Sequence, residues 1–135
     1  MFGFSSRKNS DFEIDSNNKI VYVRFFGETF SKDIIKMTQK LVDDYSLIEG
    51  FNWIFDLSKS KQLFALNQIE SMANIFRTNS DLFQNTKMAI IISTPKQSLS
   101  VDTLINFFNS NNIKITIKKT IDIKHAFDWI LYNKS

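Results

Sequence analysis

One histidine, one acid at the end of an apolar run, and a short stretch of hydroxyls and lysines are the residues in this chain that could support chemistry. His125 is the only histidine, so it supplies one candidate general base and rules out metal sites built from several imidazoles. Asp56 closes the apolar run Asn52-Trp53-Ile54-Phe55, and Ser58, Lys59, Ser60 and Lys61 follow it. The carboxyl end of a parallel strand is where open α/β sheets carry ligand-binding groups. The same carboxylate could instead cap the following loop by accepting backbone N–H bonds. Lys59 and Lys61 could hold an anion there or stand as solvated loop residues. An enzyme would need Asp56 and His125 to meet, and nothing in their spacing brings them together, so no catalytic residue is assigned. Further along, His125, Trp129 and Tyr132 recur at helical spacing on a face other than the apolar stripe of their helix. Aromatics on a wet face suggest a contact surface; alternatively Trp129 lies at the stripe's edge and packs sideways on the sheet.

Composition removes several classes of function. The chain has no cysteine, which excludes disulfide frameworks and thiolate chemistry and fits a reducing compartment such as the cytoplasm. Its three glycines, Gly3, Gly27 and Gly50, are too far apart for a phosphate-cradling loop. The net charge is +3 and the pI about 9.1, but the lysines are spread along the chain, so no nucleic-acid partner is expected. No stretch approaches the roughly 20 apolar residues that span a bilayer, so no membrane insertion is expected. No metal and no cofactor is implied.

The elements that must position these residues read from periodicity. At 135 residues with 43% hydrophobic content the chain can bury one core without staples. Residues 1–10 are expected to form a flexible N-terminal arm and residues 11–135 a single domain. Asp11 to Asp15 and Ile20 to Phe26, joined by Ser16-Asn17-Asn18-Lys19, form a hairpin whose Arg24 needs a partner or an exit to solvent. A first helix runs from Ser31 to about Ser46, with Ile34, Met37, Thr38, Leu41, Val42 and Tyr45 in one stripe. The strand ending at Ser58 follows, then a second helix with a capping box at Asn67 and Glu70 and a stripe of Leu66, Ile69, Met72, Ala73 and Phe76. Lys87 to Ser93 is a strand apolar on both faces. Thr94, Pro95 and Gln97 carry the cap, first-position proline and capping-box signals of a third helix, which starts there or at Ser100 and has Val101, Leu104, Ile105 and Phe108 as its stripe. Ile113, Ile115 and Ile117 alternate with Lys114, Thr116 and Lys118, as suits an exposed edge strand. A last helix from about Asp122 to Tyr132 turns Ile123, Ala126, Phe127, Ile130 and Leu131 inward. The order β-β-α-β-α-β-α-β-α predicts an α/β domain: a mixed, mostly parallel sheet of about five strands with an N-terminal hairpin and four helices.

This order, with Asp56-Leu57-Ser58 at a strand end and Ala126-Phe127-Asp128-Trp129-Ile130 in the last helix, resembles the STAS domains of anti-sigma-factor antagonists and sulphate transporters. In switching members of that family a helix start reading Asp-Ser-Ser/Thr-Gly follows the strand-end motif, and its serine is phosphorylated by a partner kinase. Here the matching stretch is Lys59-Ser60-Lys61-Gln62-Leu63-Phe64-Ala65-Leu66-Asn67, without acid or glycine. Ser58 and Ser60 are the hydroxyls that remain beside it. The resemblance therefore implies the fold and a bias towards protein binding in a bacterial cytoplasm, without the usual phosphoacceptor.

The function expected is a non-catalytic protein-interaction module with an unidentified protein partner. Contacts would come from the Ser58 to Lys61 loop with the first turn of the second helix, and from His125, Trp129 and Tyr132, with phosphate on Ser58 or Ser60 able to gate the loop. Phe107, beside the third helix's stripe, offers a further face, and two such faces would favour a homodimer. The alternative is a carrier whose many Phe and Ile residues line an apolar pocket for a lipid or other small molecule.

Overall fold

The computed structural model describes residues 9–27, 31–44, 48–60 and 66–132. The strands are β1 (Ser10–Asp15), β2 (Ile20–Gly27), β3 (Asn52–Ser60), β4 (Thr86–Ile91) and β5 (Ile115–Thr120). The helices are α1 (Ser31–Asp44), α2 (Leu66–Thr78), α3 (Pro95–Ser110) and α4 (Ile123–Tyr132), with a 3-10 turn at Ser80–Phe83. One sheet holds the strands in the order β1-β2-β3-β4-β5, antiparallel at β1–β2 and parallel elsewhere. The expected mixed sheet with its opening hairpin is the one observed. Tyr45, Ser46, Lys61 and residues 1–8 of the expected arm lie outside the described residues, and Ser10, placed in that arm from sequence, is the first residue of β1.

The hairpin is set by its turn. Asp15 accepts the Asn18 N–H at 3.0 Å and the Asn18 side-chain amide at 2.9 Å, and Lys19 takes the left-handed conformation at φ 56°. These hydrogen bonds hold the Asp15 carboxyl below its ordinary pKa. Arg24, which needed a partner, stands opposite Asp11 and donates to it at 2.6 Å and to Glu13 at 3.3 Å.

Strand alternation then sorts the side chains into two layers. Val21, Val23, Phe25, Trp53, Phe55, Leu57, Met88 and Ile90 face the main core, where they meet Ile34 and Leu41 of α1, Ile69 and Met72 of α2, and Val101, Leu104 and Phe108 of α3. Rings cross this layer in steps, with centroids 5.8 Å apart for Trp53 and Phe55, 5.7 Å for Trp53 and Phe83, and 4.6 Å for Phe76 and Phe83. On the other face Ile20, Ile54, Ala89 and Ile91 meet Ala126, Trp129 and Ile130 of α4. Crossovers of one hand moving the same way across a sheet put their helices on one side, so α1, α2 and α3 share a face, and among the described residues α4 alone covers the opposite one.

Several details depart from the periodicity. Leu66 is exposed because it opens α2 instead of belonging to its buried stripe, and Asn67 stands inside the first turn instead of capping it. Ile123 and Leu131 are also exposed: α4 is short and turns Trp129 inward in their place. Gln97 makes only half of a capping box. Its N–H bonds the Thr94 hydroxyl at 3.1 Å, but its side-chain amide donates to the carbonyls of Leu57 at 3.1 Å and Ser60 at 2.8 Å, while its oxygen accepts the Ser93 N–H at 2.8 Å.

That amide is 1% exposed and stands where a strand partner is missing. The β3–β4 ladder ends at the pair Asp56 and Ile91, so the last carbonyls of β3 have no partner in β4, and Gln97 takes their bonds. Replacing Gln97 with Ala strands those carbonyls and the Ser93 N–H, and is expected to cost about 2–4 kcal/mol in urea unfolding. A loss below about 0.5 kcal/mol would show that the clamp carries little of the fold.

Candidate functional site: the α4 face of the sheet

α4 is only 10 residues long and covers one part of its face, which leaves two features for interpretation. The first surrounds Asp56. Between Arg24 and Phe26 of β2 the pairing with β3 shifts by one residue, a bulge that frees the Ser58 N–H from the ladder. Asp56 collects it: Oδ1 accepts the Ser58 N–H at 2.9 Å and the Ser58 hydroxyl at 2.6 Å, and Oδ2 accepts the Tyr22 hydroxyl at 3.1 Å. The Arg24 guanidinium lies 5.2 Å from the Tyr22 ring centre and is held by Asp11 and Glu13. Burial first, then the charge of Asp56 and its hydrogen bond, push the Tyr22 phenol up to about 12.

This network is internally satisfied, and its chemistry is that of a brace. Asp56 Oδ1 bonds the bulged stretch of β3 that follows it, the role open to it from sequence although that stretch is strand and not the expected loop, and Oδ2 bonds Tyr22 across the sheet. Ser58 gives its proton to that carboxylate, so a phosphate there would meet the negative charge of Asp56. Ser60 is buried and Lys59 exposed. His125 sits on α4 with partners of its own, its N–H at 2.8 Å and its Nδ1 at 2.7 Å from Asp122 Oδ1. Those two contacts hold the Asp122 carboxyl below its ordinary pKa. Asp56 and His125 thus belong to separate clusters. Among the described residues no group of acids and histidine is arranged to hold a metal ion.

The second feature is an open groove of about 680 Å³ between β5 and α4. His125, Trp129 and Tyr132, grouped from helical spacing, all line it, together with Lys118, Lys119 and Thr120 of β5. Of the two roles open to Trp129, it takes the packing one: it is 5% exposed, with the ammonium groups of Lys87 and Lys118 at 5.4 and 6.0 Å from its ring centre. Tyr132 and Ile121 stand out at the rim, 75% and 69% exposed. Sequence reasoning missed Tyr22 and the lysines of β5 as site residues. The signal for Tyr22 was its outward parity beside Arg24, and for the lysines their alternation with isoleucine.

No protein-family model matches the sequence, and no curated protein matches it. Among solved structures, an uncharacterised protein of the DUF3478 family from Shewanella loihica PV-4, described as having a SpoIIAA-like fold, superposes with a TM-score of 0.62 at 17% identity, over 90% of this chain and 94% of that one. This chain has the SpoIIAA-like, STAS-type fold. At that identity the likeness carries the architecture alone. In this SpoIIAA-like domain no helix among the described residues is long and apolar enough to cross a membrane.

The raised phenol gives a test of the Asp56 brace. Its folded-state value lies above the ordinary 10.0, so the neutral form favours folding. That contribution is whole below about pH 10 and is lost as pH rises through about 12. Tyr22→Phe is expected to flatten the fall of the unfolding midpoint across this interval, and Asp56→Asn to lower the phenol titration read by ultraviolet difference spectra. An unchanged titration in Asp56→Asn would contradict the contact.

Proposed function

We propose that this domain is a non-catalytic protein-interaction module of the cytoplasm whose contact face is the groove between β5 and α4. The observation that carries the reading is the pair of large apolar residues at its rim, Ile121 and Tyr132, beside a groove floored by Trp129 and edged by lysines. Exposed apolar surface rimmed by polar groups is the usual mark of a contact site, and Tyr and Trp contribute most of the binding energy at such sites. The self-contained Asp56 network supports a bracing role for the strand end and argues against a reaction there. Ser58, Lys59 and Ser60 would then shape the bulged end of β3 without chemistry, and Lys61 lies outside the described residues.

A carrier role has one observation in its favour, a cavity of about 480 Å³ at the other end of the sheet. Phe76, Phe83, Ile113 and Ile115 form its apolar lining, and Arg77 and Lys114 add positive charge. Native mass spectrometry of protein purified from its own cells separates the two: the interaction reading expects the bare chain mass, and a carrier would show a retained small molecule.

For the contact face, the direct comparison is tagged wild type against an Ile121→Ser, Tyr132→Ser variant, captured from the native cells. Both residues are exposed, so stability is expected to change by no more than about 1 kcal/mol. A stoichiometric partner of the wild type that is lost from the variant supports the proposal. A partner retained equally by both contradicts it.

A further inference from the structure

We infer that the outer edge of β5 receives an extended acidic segment of a partner protein as an added strand; this rests on the interaction reading and names the partner's chemistry. β5 ends the sheet, and among the described residues its outer side pairs with no strand. Its backbone groups alternate between the two sides. Thr120 gives its carbonyl to the Ile92 N–H at 3.0 Å, so Thr116, Lys118 and Thr120 turn towards β4, and Ile117 and Lys119 turn their N–H and C=O groups outward. An incoming strand would find that ladder ready made.

The side chains fix the composition of that strand. On the α4 face β5 presents Lys118 beside the groove, with Lys114 preceding the strand; both are exposed. Lys119 is already paired with Asp102 at 2.7 Å, and among the described residues no ion pair is seen for Lys114 or Lys118. On the α3 face lie Ile115, buried, and the half-buried Ile117, packed on the main core with Ile105. Directly opposed residues on neighbouring strands interact, so acids opposite the lysine face and apolar residues opposite the isoleucine face form the complementary pattern. Thr120 adds a buried hydroxyl, without a partner among the described residues, on the same groove. Lysines on an edge strand ordinarily repel another copy of that edge. The same charge admits an acidic one.

The probe is a set of end-blocked hexapeptides alternating Glu with Ile or Val, the length of β5, compared with peptides carrying Lys in place of Glu and with glutamate peptides N-methylated at alternate positions. Fluorescence anisotropy on the full chain is expected to show binding of the glutamate peptides alone, weakened by salt. Lys118→Glu is expected to lower that affinity by about tenfold, and N-methylation on the bonding side to abolish it. Amide exchange at Ile117 and Lys119 is expected to slow in the complex. Equal binding of the lysine peptides, indifference to N-methylation or absence of binding would overturn the proposal. Concentration-dependent self-association lost in Lys118→Glu would also overturn it, by giving the edge to a second copy. If the peptides fail while the Ile121→Ser, Tyr132→Ser variant still loses a cellular partner, the acidic strand falls and the contact face stands.

Discussion

One buried amide, that of Gln97, closes the end of the central strand. β3 is the central strand, yet its last residues leave the ladder with β4 after Asp56, just where a bulge also loosens its pairing with β2. Buried carbonyls without partners cost free energy comparable to lost hydrogen bonds. Gln97 supplies the missing donors to Leu57 and Ser60 and at the same time takes the Ser93 N–H that follows β4. One side chain therefore closes the end of β3 and anchors the start of α3. With α3 held there, Val101, Leu104 and Phe108 seat in the main core and the chain is delivered to β5.

A second consequence follows from the uneven covering of the sheet. Three helices pack one face, and among the described residues the other has only the short α4. The part of that face beyond α4 must be compatible with water, and it is made so by Tyr22, Arg24, Asp56 and the acids of β1, each with a partner in the same layer. The arrangement stiffens the bulge and engages both carboxylate oxygens of Asp56. At the opposite margin α4 does not reach the edge of the sheet flush, and the mismatch is the groove beside β5. Architecture and composition together put the polar brace near one edge and the apolar, basic margin at the other.

Elements were legible in the sequence where one periodicity dominated. The alternation Ile113, Ile115, Ile117 with lysines identified an edge strand, and the double-faced apolar runs identified β3 and β4 as interior strands. Register was not legible, because it depends on which neighbour a strand meets; the contact between Tyr22 and Asp56, 34 positions apart, could not be read from either stretch. Gln97 looked like a capping residue because the local signal was real, but a buried long side chain serves whichever unsatisfied group is closest, and here that was the end of β3. Trp129 sat between two readings for a related reason. A short helix on a broad sheet buries its largest ring whatever stripe its smaller residues describe. The resemblance to STAS domains carried the architecture, while the loop in which that family is modified diverges here in Lys59 to Asn67 and left the function to be argued from surfaces.

On the reading proposed above, partners engage the β5–α4 margin and not the bulged end of β3 that Asp56 braces. Hydrogen–deuterium exchange of the chain, alone and with its captured partner bound, locates the contact directly. Slowed exchange across β5 and the carboxyl half of α4, with the Asp56 to Lys59 segment unchanged, is the predicted result. Slowing confined to the segment around Ser58 and the start of α2 would contradict it.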